Sequence, residues 1–215
     1  MQRFQPCGIV LVQLPDGGQR GGDVPVGDRA VRFQQFALRI HDLARGLQPV
    51  QLLLRFVEEL AEAAVRGAAI GGFDAGALLQ NAALAVAPCV DPDGVDLVTG
   101  DIADGPVFDA ARAIAAAFPD IPFPDGWKAN ILGVDLNLQS PAGWETAREI
   151  KFAQGFTKPA PRDYVGSAPL AAPESRAVAD FTRSFDPALT LSYHTQGEVI
   201  FWKYLDIEPA GARAL

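Results

Sequence analysis

The stretch "LTLSYHTQGEVIFW", Leu189 to Trp202, decides how the rest of this 215-residue chain is read. Leu189, Leu191 and Tyr193 alternate with Thr190, Ser192 and His194, the period of a strand with one face more apolar than the other. Thr195-Gln196-Gly197 breaks the run, and a second apolar segment follows over 198–204. Two strands are expected here, and His194, one of only two histidines, falls at the carboxyl end of the first.

A third strand is read at "AALAVAPCV" (82–90), which ends in Asp91-Pro92-Asp93-Gly94, a tight-turn composition. Helices separate these strands. From Val50, Leu52, Leu53, Phe56, Val57, Leu60, Ala61, Ala64 and Val65 recur at helical spacing, with Gly67 as the stop signal. "PVFDAARAIAAAF" (106–118) opens on proline and repeats its large apolar groups as a packed helix does. Another helix begins at Pro173, with Glu174 at its positive end and Ala177, Val178 and Phe181 expected to face inward. Strands separated by helices imply an α/β layer structure. Residues 1–49, rich in Gly, Asp, Arg and Gln, show neither period and read as loop-heavy. The stretch 119–170 carries Pro and Gly too often for regular structure, and loops of that length commonly build a binding surface.

Composition sets outer bounds. With 49% hydrophobic and 20% charged residues, the chain has an ordinary globular composition with material for one substantial core. A net charge of -8 repels nucleic acid and anionic membrane surfaces. Two cysteines, Cys7 and Cys89, exclude a disulfide framework. No run reaches the ~20 apolar residues of a membrane span. The start, "MQRFQPCGIVLVQLPDGG", lacks the small-residue cleavage site of a signal peptide, so a cytoplasmic or cell-wall-associated protein is expected.

Four segments in fixed order carry a resemblance: "VDPDGVDLV" (90–98), "GWKANILGVDLNLQSPAGW" (126–144), "PLAAPESRAV" (169–178) and "LSYHTQGEVIFW" (191–202). Together they resemble the zinc carboxypeptidase family of metallopeptidases, and within it the bacterial γ-D-glutamyl-L-diamino acid endopeptidases that cut peptidoglycan stem peptides. The resemblance implies an α/β fold, a mixed β-sheet sandwiched by helices, with one zinc at the carboxyl ends of central strands. Such a zinc takes three protein ligands and keeps an open position for water. His194 matches the family's third ligand, the alternative being a strand-end histidine bonded to nearby backbone. Asn137 matches the asparagine that orients a substrate carboxylate, or is a turn residue bonding its own backbone. Leu138 stands where carboxypeptidases often have arginine, which suits an endopeptidase better than an enzyme clamping a free C-terminus. Lys128, beside Trp127, matches the cation that stabilises an oxyanion, or is an exposed loop lysine. Asp91 replaces the family's asparagine, and Trp144 and Trp202 are expected to pack in the core or at the rim.

The chain also departs from the family. No His-x-x-Glu, the motif supplying the first two zinc ligands, occurs in it; His41, in "LRIHDLARGLQPV", is followed at the third position by Ala44, and Asp42 is only its neighbour. The family's general-base glutamate lies well beyond the third ligand and has no match, Glu198 being too close to His194 to take its place. No catalytic residue is therefore assigned. The expectation is a member truncated or altered at both ends: an atypical segment over 1–49, and over 50–215 a partial, incomplete zinc carboxypeptidase-like domain. Either it is a zinc-dependent peptidase of stem peptides, or it is an inactive fragment or binding module. An incomplete sheet would also leave an exposed edge and favour self-association.

Overall fold

The computed structural model describes residues 8–13 and 48–194. The strand expected over 198–204, with Glu198 and Trp202, lies outside them, as do His41 and Asp42. The described elements run β1 (Gly8–Gln13), α1 (Gln48–Arg66), β2 (Ala69–Ile70), β3 (Phe73–Asp74), α2 (Ala75–Asn81), β4 (Ala83–Ala87), α3 (Pro92–Thr99), α4 (Gly105–Ala115), a 3-10 turn (Leu136–Leu138), α5 (Trp144–Ala153), α6 (Pro173–Phe185) and β5 (Leu189–Tyr193). The fold is mixed α/β.

Its main sheet has the order β4-β1-β5. β1 pairs antiparallel with both neighbours, Ile9 opposite Ala87 and Gly8 opposite Tyr193. β4 and β5 therefore run in the same direction and finish at the same end of the sheet. Among the described strands every pairing is antiparallel, so the mixed sheet expected from the resemblance is not what these strands form. β1 adds a strand that the reading of the first fifty residues did not name: Gly-Ile-Val-Leu-Val-Gln holds the central position among the described strands of the sheet. Its four consecutive aliphatic residues, Ile9 to Val12, give no alternation to detect in the sequence.

α1 matches its expectation, and Gly67 ends it in the left-handed region at φ +65. The buried stripe is Leu54, Val57, Leu60 and Ala63, while Phe56 and Val65 are exposed. Leu60 and Ala63 pack with Ala75 of α2, and Leu84 of β4 lies against them. A second core holds Leu97 of α3, Ala111 and Ala115 of α4, and Trp127 and Ala129 of the following loop. Trp127 is fully buried; its indole N–H donates to the Ala129 carbonyl at 2.7 Å, and Phe123 meets it edge-on at 6.0 Å.

Two expectations change here. The Asp91-Pro-Asp-Gly segment is not a tight turn but the start of α3. Asp91 is its N-cap, accepting from the Gly94 N–H at 3.2 Å, and Pro92 occupies the first turn. A Cβ on Gly94 would press on the Asp91 carboxylate and come within 2.7 Å of the Ala129 carbonyl oxygen, so only glycine allows α3 to meet the Trp127 loop. In α6, Ala177 and Phe181 do not face inward: both are exposed, and Phe181 stacks on Phe185 at 5.6 Å.

The long loops between α4 and α6 are held by two buried amides. Asn130 accepts from Leu132 N–H (3.2 Å) and Val134 N–H (2.9 Å) through Oδ1, and donates through Nδ2 to both oxygens of Glu174 (3.2 and 3.1 Å). It thus ties its loop to the first turn of α6. Gln139 donates to the carbonyls of Val165 and Ala168 and accepts from the Ala172 N–H at 2.9 Å, while the Trp144 indole N–H also reaches Val165 O at 3.1 Å. α5, in a stretch expected to be irregular, is anchored at its start by this buried tryptophan.

Replacing Gln139 by alanine strands the buried Ala172 N–H, empties a fully buried side-chain position and leaves the Val165 carbonyl with the Trp144 indole as its remaining side-chain donor. The expected loss is about 2–4 kcal/mol of unfolding free energy, read by urea denaturation. Asp91 gives a pH dependence. Burial above all, and then the charges of Glu174, Asp93 and Asp135, push its carboxyl from 3.8 up to about 7, against the opposing Gly94 hydrogen bond. The folded state therefore holds a proton that the unfolded state releases, and stability falls as pH rises from about 4 to 7. Asp91→Asn keeps the cap acceptor and removes the charge. It is expected to match the parent at pH 4 and to exceed it by about 1–2 kcal/mol at pH 8, a value discounted for partial solvation. Thermal melts across that range check it.

Candidate functional site

The segment 159–164 lies as a strap along 128–135. The Pro161 carbonyl accepts from the N–H groups of Lys128 (2.7 Å) and Ala129 (3.0 Å); Ala160 N–H donates to Gly133 O (3.1 Å), and Asp135 N–H to Tyr164 O (2.8 Å). Gly133 sits at φ +78, and a Cβ there would come 3.0 Å from the Ala160 nitrogen. Glycine therefore permits both the turn and the close approach of the strap.

Asp135 joins the strap to the turn bearing Asn137. One carboxylate oxygen accepts from Asn137 N–H at 3.1 Å and the other from Asp163 N–H at 3.0 Å. Burial raises its carboxyl above the ordinary range, with these hydrogen bonds opposing. The backbone of Asn137 thus belongs to the Leu136–Leu138 turn, and its side chain is exposed. Both roles considered from the sequence, turn residue and surface contact, are compatible with this placement.

Charge gathers on the same strap. Asp163 sits in the left-handed region at φ +67 and is held by Lys151 Nζ at 2.6 Å and Arg162 Nε at 2.8 Å. Burial alone would raise its carboxyl, but the hydrogen bonds and charges of Lys151 and Arg162 outweigh it and leave the carboxyl below its usual value. Lys128 is half-buried rather than an open loop lysine. Burial first, and then the neighbouring Arg162 charge, hold its ammonium below the ordinary lysine range.

Lys128 and Asn137 are thereby brought into one hydrogen-bonded loop network. His194 comes from another element: it follows β5 directly, is exposed, and lies at the sheet end where β4 also finishes. Among the described residues no group of three or more His, Cys, Asp or Glu side chains is placed to hold a metal ion. The described residues thus do not by themselves assemble the three-ligand set that a catalytic zinc requires. No helix among them is long and apolar enough to cross a membrane.

Asn130, Gln139, Arg162 and Asp163 were not legible as site-building residues. Asp135, two positions before Asn137, carried the one available signal, since an aspartate followed by a short turn commonly bonds the backbone two residues on.

The zinc carboxypeptidase family model matches residues 40–211. Over 167 residues the chain is 40% identical to gamma-D-glutamyl-L-diamino acid endopeptidase 1 of Lysinibacillus sphaericus, covering 76% of this chain and 40% of that protein. Over 190 residues it is 36% identical to the uncharacterized protein YqgT of Bacillus subtilis (strain 168), covering 88% of this chain and 48% of the other. The chain thus spans less than half the length of these curated relatives. No solved structure matches it. A family match running from residue 40 to residue 211, through the strap, the Asn137 turn and the end of β5, makes the conclusion plain: this chain belongs to the zinc carboxypeptidase family of metallopeptidases.

Proposed function

We propose that the chain forms the substrate-binding side of a metallopeptidase acting on γ-D-glutamyl-diamino acid peptides, the stem peptides of peptidoglycan. The Lysinibacillus relative's name supplies the substrate class. The observation that carries the reading is the strap, which bonds the Lys128 backbone through Pro161 and the Asn137 turn through Asp135. In this reading the exposed Asn137 amide orients the peptide. Lys128 faces the carbonyl oxygen that gains charge on attack, and partial burial strengthens that interaction because water screens it less. His194 serves as a metal ligand from the end of β5, and helices on both faces complete a sandwich around the sheet. A zinc held in part by His194 would supply Lewis-acid chemistry for hydrolysis of the amide. Self-association through the outer edge of β5, where Leu189 and Leu191 are exposed, belongs to the same reading.

A second reading, peptide binding without hydrolysis, is favoured by one observation: the described residues offer no three-ligand metal group. Metal analysis of the purified chain separates the two. The peptidase reading expects near-stoichiometric zinc, lost in His194→Ala, and release of the diamino acid from γ-D-glutamyl-L-lysine. Zinc below a tenth of an equivalent in both proteins, with the dipeptide bound but uncut, establishes the binding module instead.

A further inference from the structure

We propose that Asp135 is a positioning residue for peptide binding: its carboxylate sets the Asn137 turn against the strap over 159–164, and the hold of Asn137 on a peptide passes through that connection. This rests on the reading that the exposed Asn137 amide orients the peptide.

Asn137 is an exposed side chain on a backbone fixed from both sides. Ahead of it, Asp135 closes the turn twice: its carboxylate accepts from the Asn137 N–H at 3.1 Å, and its carbonyl from the Leu138 N–H at 3.0 Å. Behind it, Gln139 is fully buried and accepts from the Ala172 N–H at 2.9 Å. The two anchors differ in what they reach. Gln139 ties the turn to the segment before α6, whereas Asp135 ties it to the strap, because its second oxygen accepts from the Asp163 N–H at 3.0 Å. Backbone bonds already pair Gly133 with Ala160 and Asp135 with Tyr164, and the carboxylate carries this pairing forward to residue 137.

The strap side of the connection is fixed as well. Asp163 has φ +67, a conformation uncommon for a residue with a side chain, and its oxygens are held by Lys151 of α5 at 2.6 Å and Arg162 at 2.8 Å. A carboxylate suits the Asp135 position because it offers two acceptor oxygens and no donor; an amide there would keep one acceptor and turn an NH2 group toward the other N–H. Ordering the backbone of a single residue at the moment of binding costs about 5- to 30-fold in an equilibrium constant. Here folding has ordered it beforehand, so a peptide meets an amide whose main chain no longer has that freedom to lose.

Isothermal titration of the full chain with γ-D-glutamyl-L-lysine tests this in a double-substitution cycle. Asp135→Asn is expected to weaken binding about 5- to 30-fold, since its one acceptor serves either the turn or the strap and breaks the connection in both cases. In an Asn137→Ala background the same change should alter affinity by less than about twofold, whereas a general loss of structure weakens both backgrounds alike. Unaltered affinity in Asp135→Asn, or equal losses in the two backgrounds, overturns the positioning role while peptide binding stands. An Asn137→Ala protein that binds as tightly as the parent overturns the role of Asn137 and this proposal with it, and a parent chain that binds no peptide overturns the proposed function too. Hydrogen exchange on the unsubstituted chain decides the matter even if a variant fails to fold. With peptide at about ten times its Kd, the Asn137 and Asp163 amide hydrogens, which share one acceptor group, are expected to slow together by about tenfold. Slowing of neither, or of only one of the two, overturns the connection.

Discussion

The structure between α4 and α6 depends on two buried amides. Asn130 and Gln139 are both fully buried, and each satisfies backbone groups that irregular loops leave unpaired. A helix or a strand meets this demand with its own ladder. A loop cannot, and an unpaired buried N–H or C=O costs about as much as the hydrogen bond it lacks. A side-chain amide, with donors and an acceptor on one planar group, meets the demand from a single position. Asn130 closes its own turn and binds the start of α6; Gln139 binds the segment that leads into it. The loop surface is therefore fixed from both sides of α6 rather than merely tolerated.

On this fixed floor the strap carries the charges. Asp135 spends both oxygens on backbone N–H groups, and Asp163 spends both on cations. The same burial that pushes Asp135 and Asp91 toward their neutral forms strengthens every remaining charge interaction nearby. Asp91 is the counterexample to a simple capping rule. An aspartate at a helix N-terminus normally gains from its charge, but here burial beside Glu174 outweighs the cap. An asparagine at this position would keep the cap acceptor without that cost.

Family membership and the described geometry meet at different strengths along the chain. The loops bearing Lys128 and Asn137 are a coherent hydrogen-bonded unit, while the metal expected of the family has no three-ligand group among the described residues. The chain also spans only 40% and 48% of the two relatives. The contacts among the described residues accordingly account for the order of the loops bearing Lys128 and Asn137.

The sequence by itself determined the elements whose cause is local. The apolar period of α1 with its terminal Gly67, the proline starts of α4 and α6, and the alternation in β5 all appear where 3.6- or two-residue spacing places them. Ordered motifs also sufficed for the family, because residue identity at fixed spacing survives without knowledge of contacts. Tertiary structure decided the rest. β1 is a strand because β4 and β5 flank it, and α5 is held through Trp144 and Lys151, whose partners Val165 and Asp163 lie twenty-one and twelve residues away. Arg162 became relevant only once Pro161 and Tyr164 were bonded to residues some thirty positions earlier. Such pairings join residues by long-range hydrogen bonds that leave no period in the chain, so only the folded molecule reveals them.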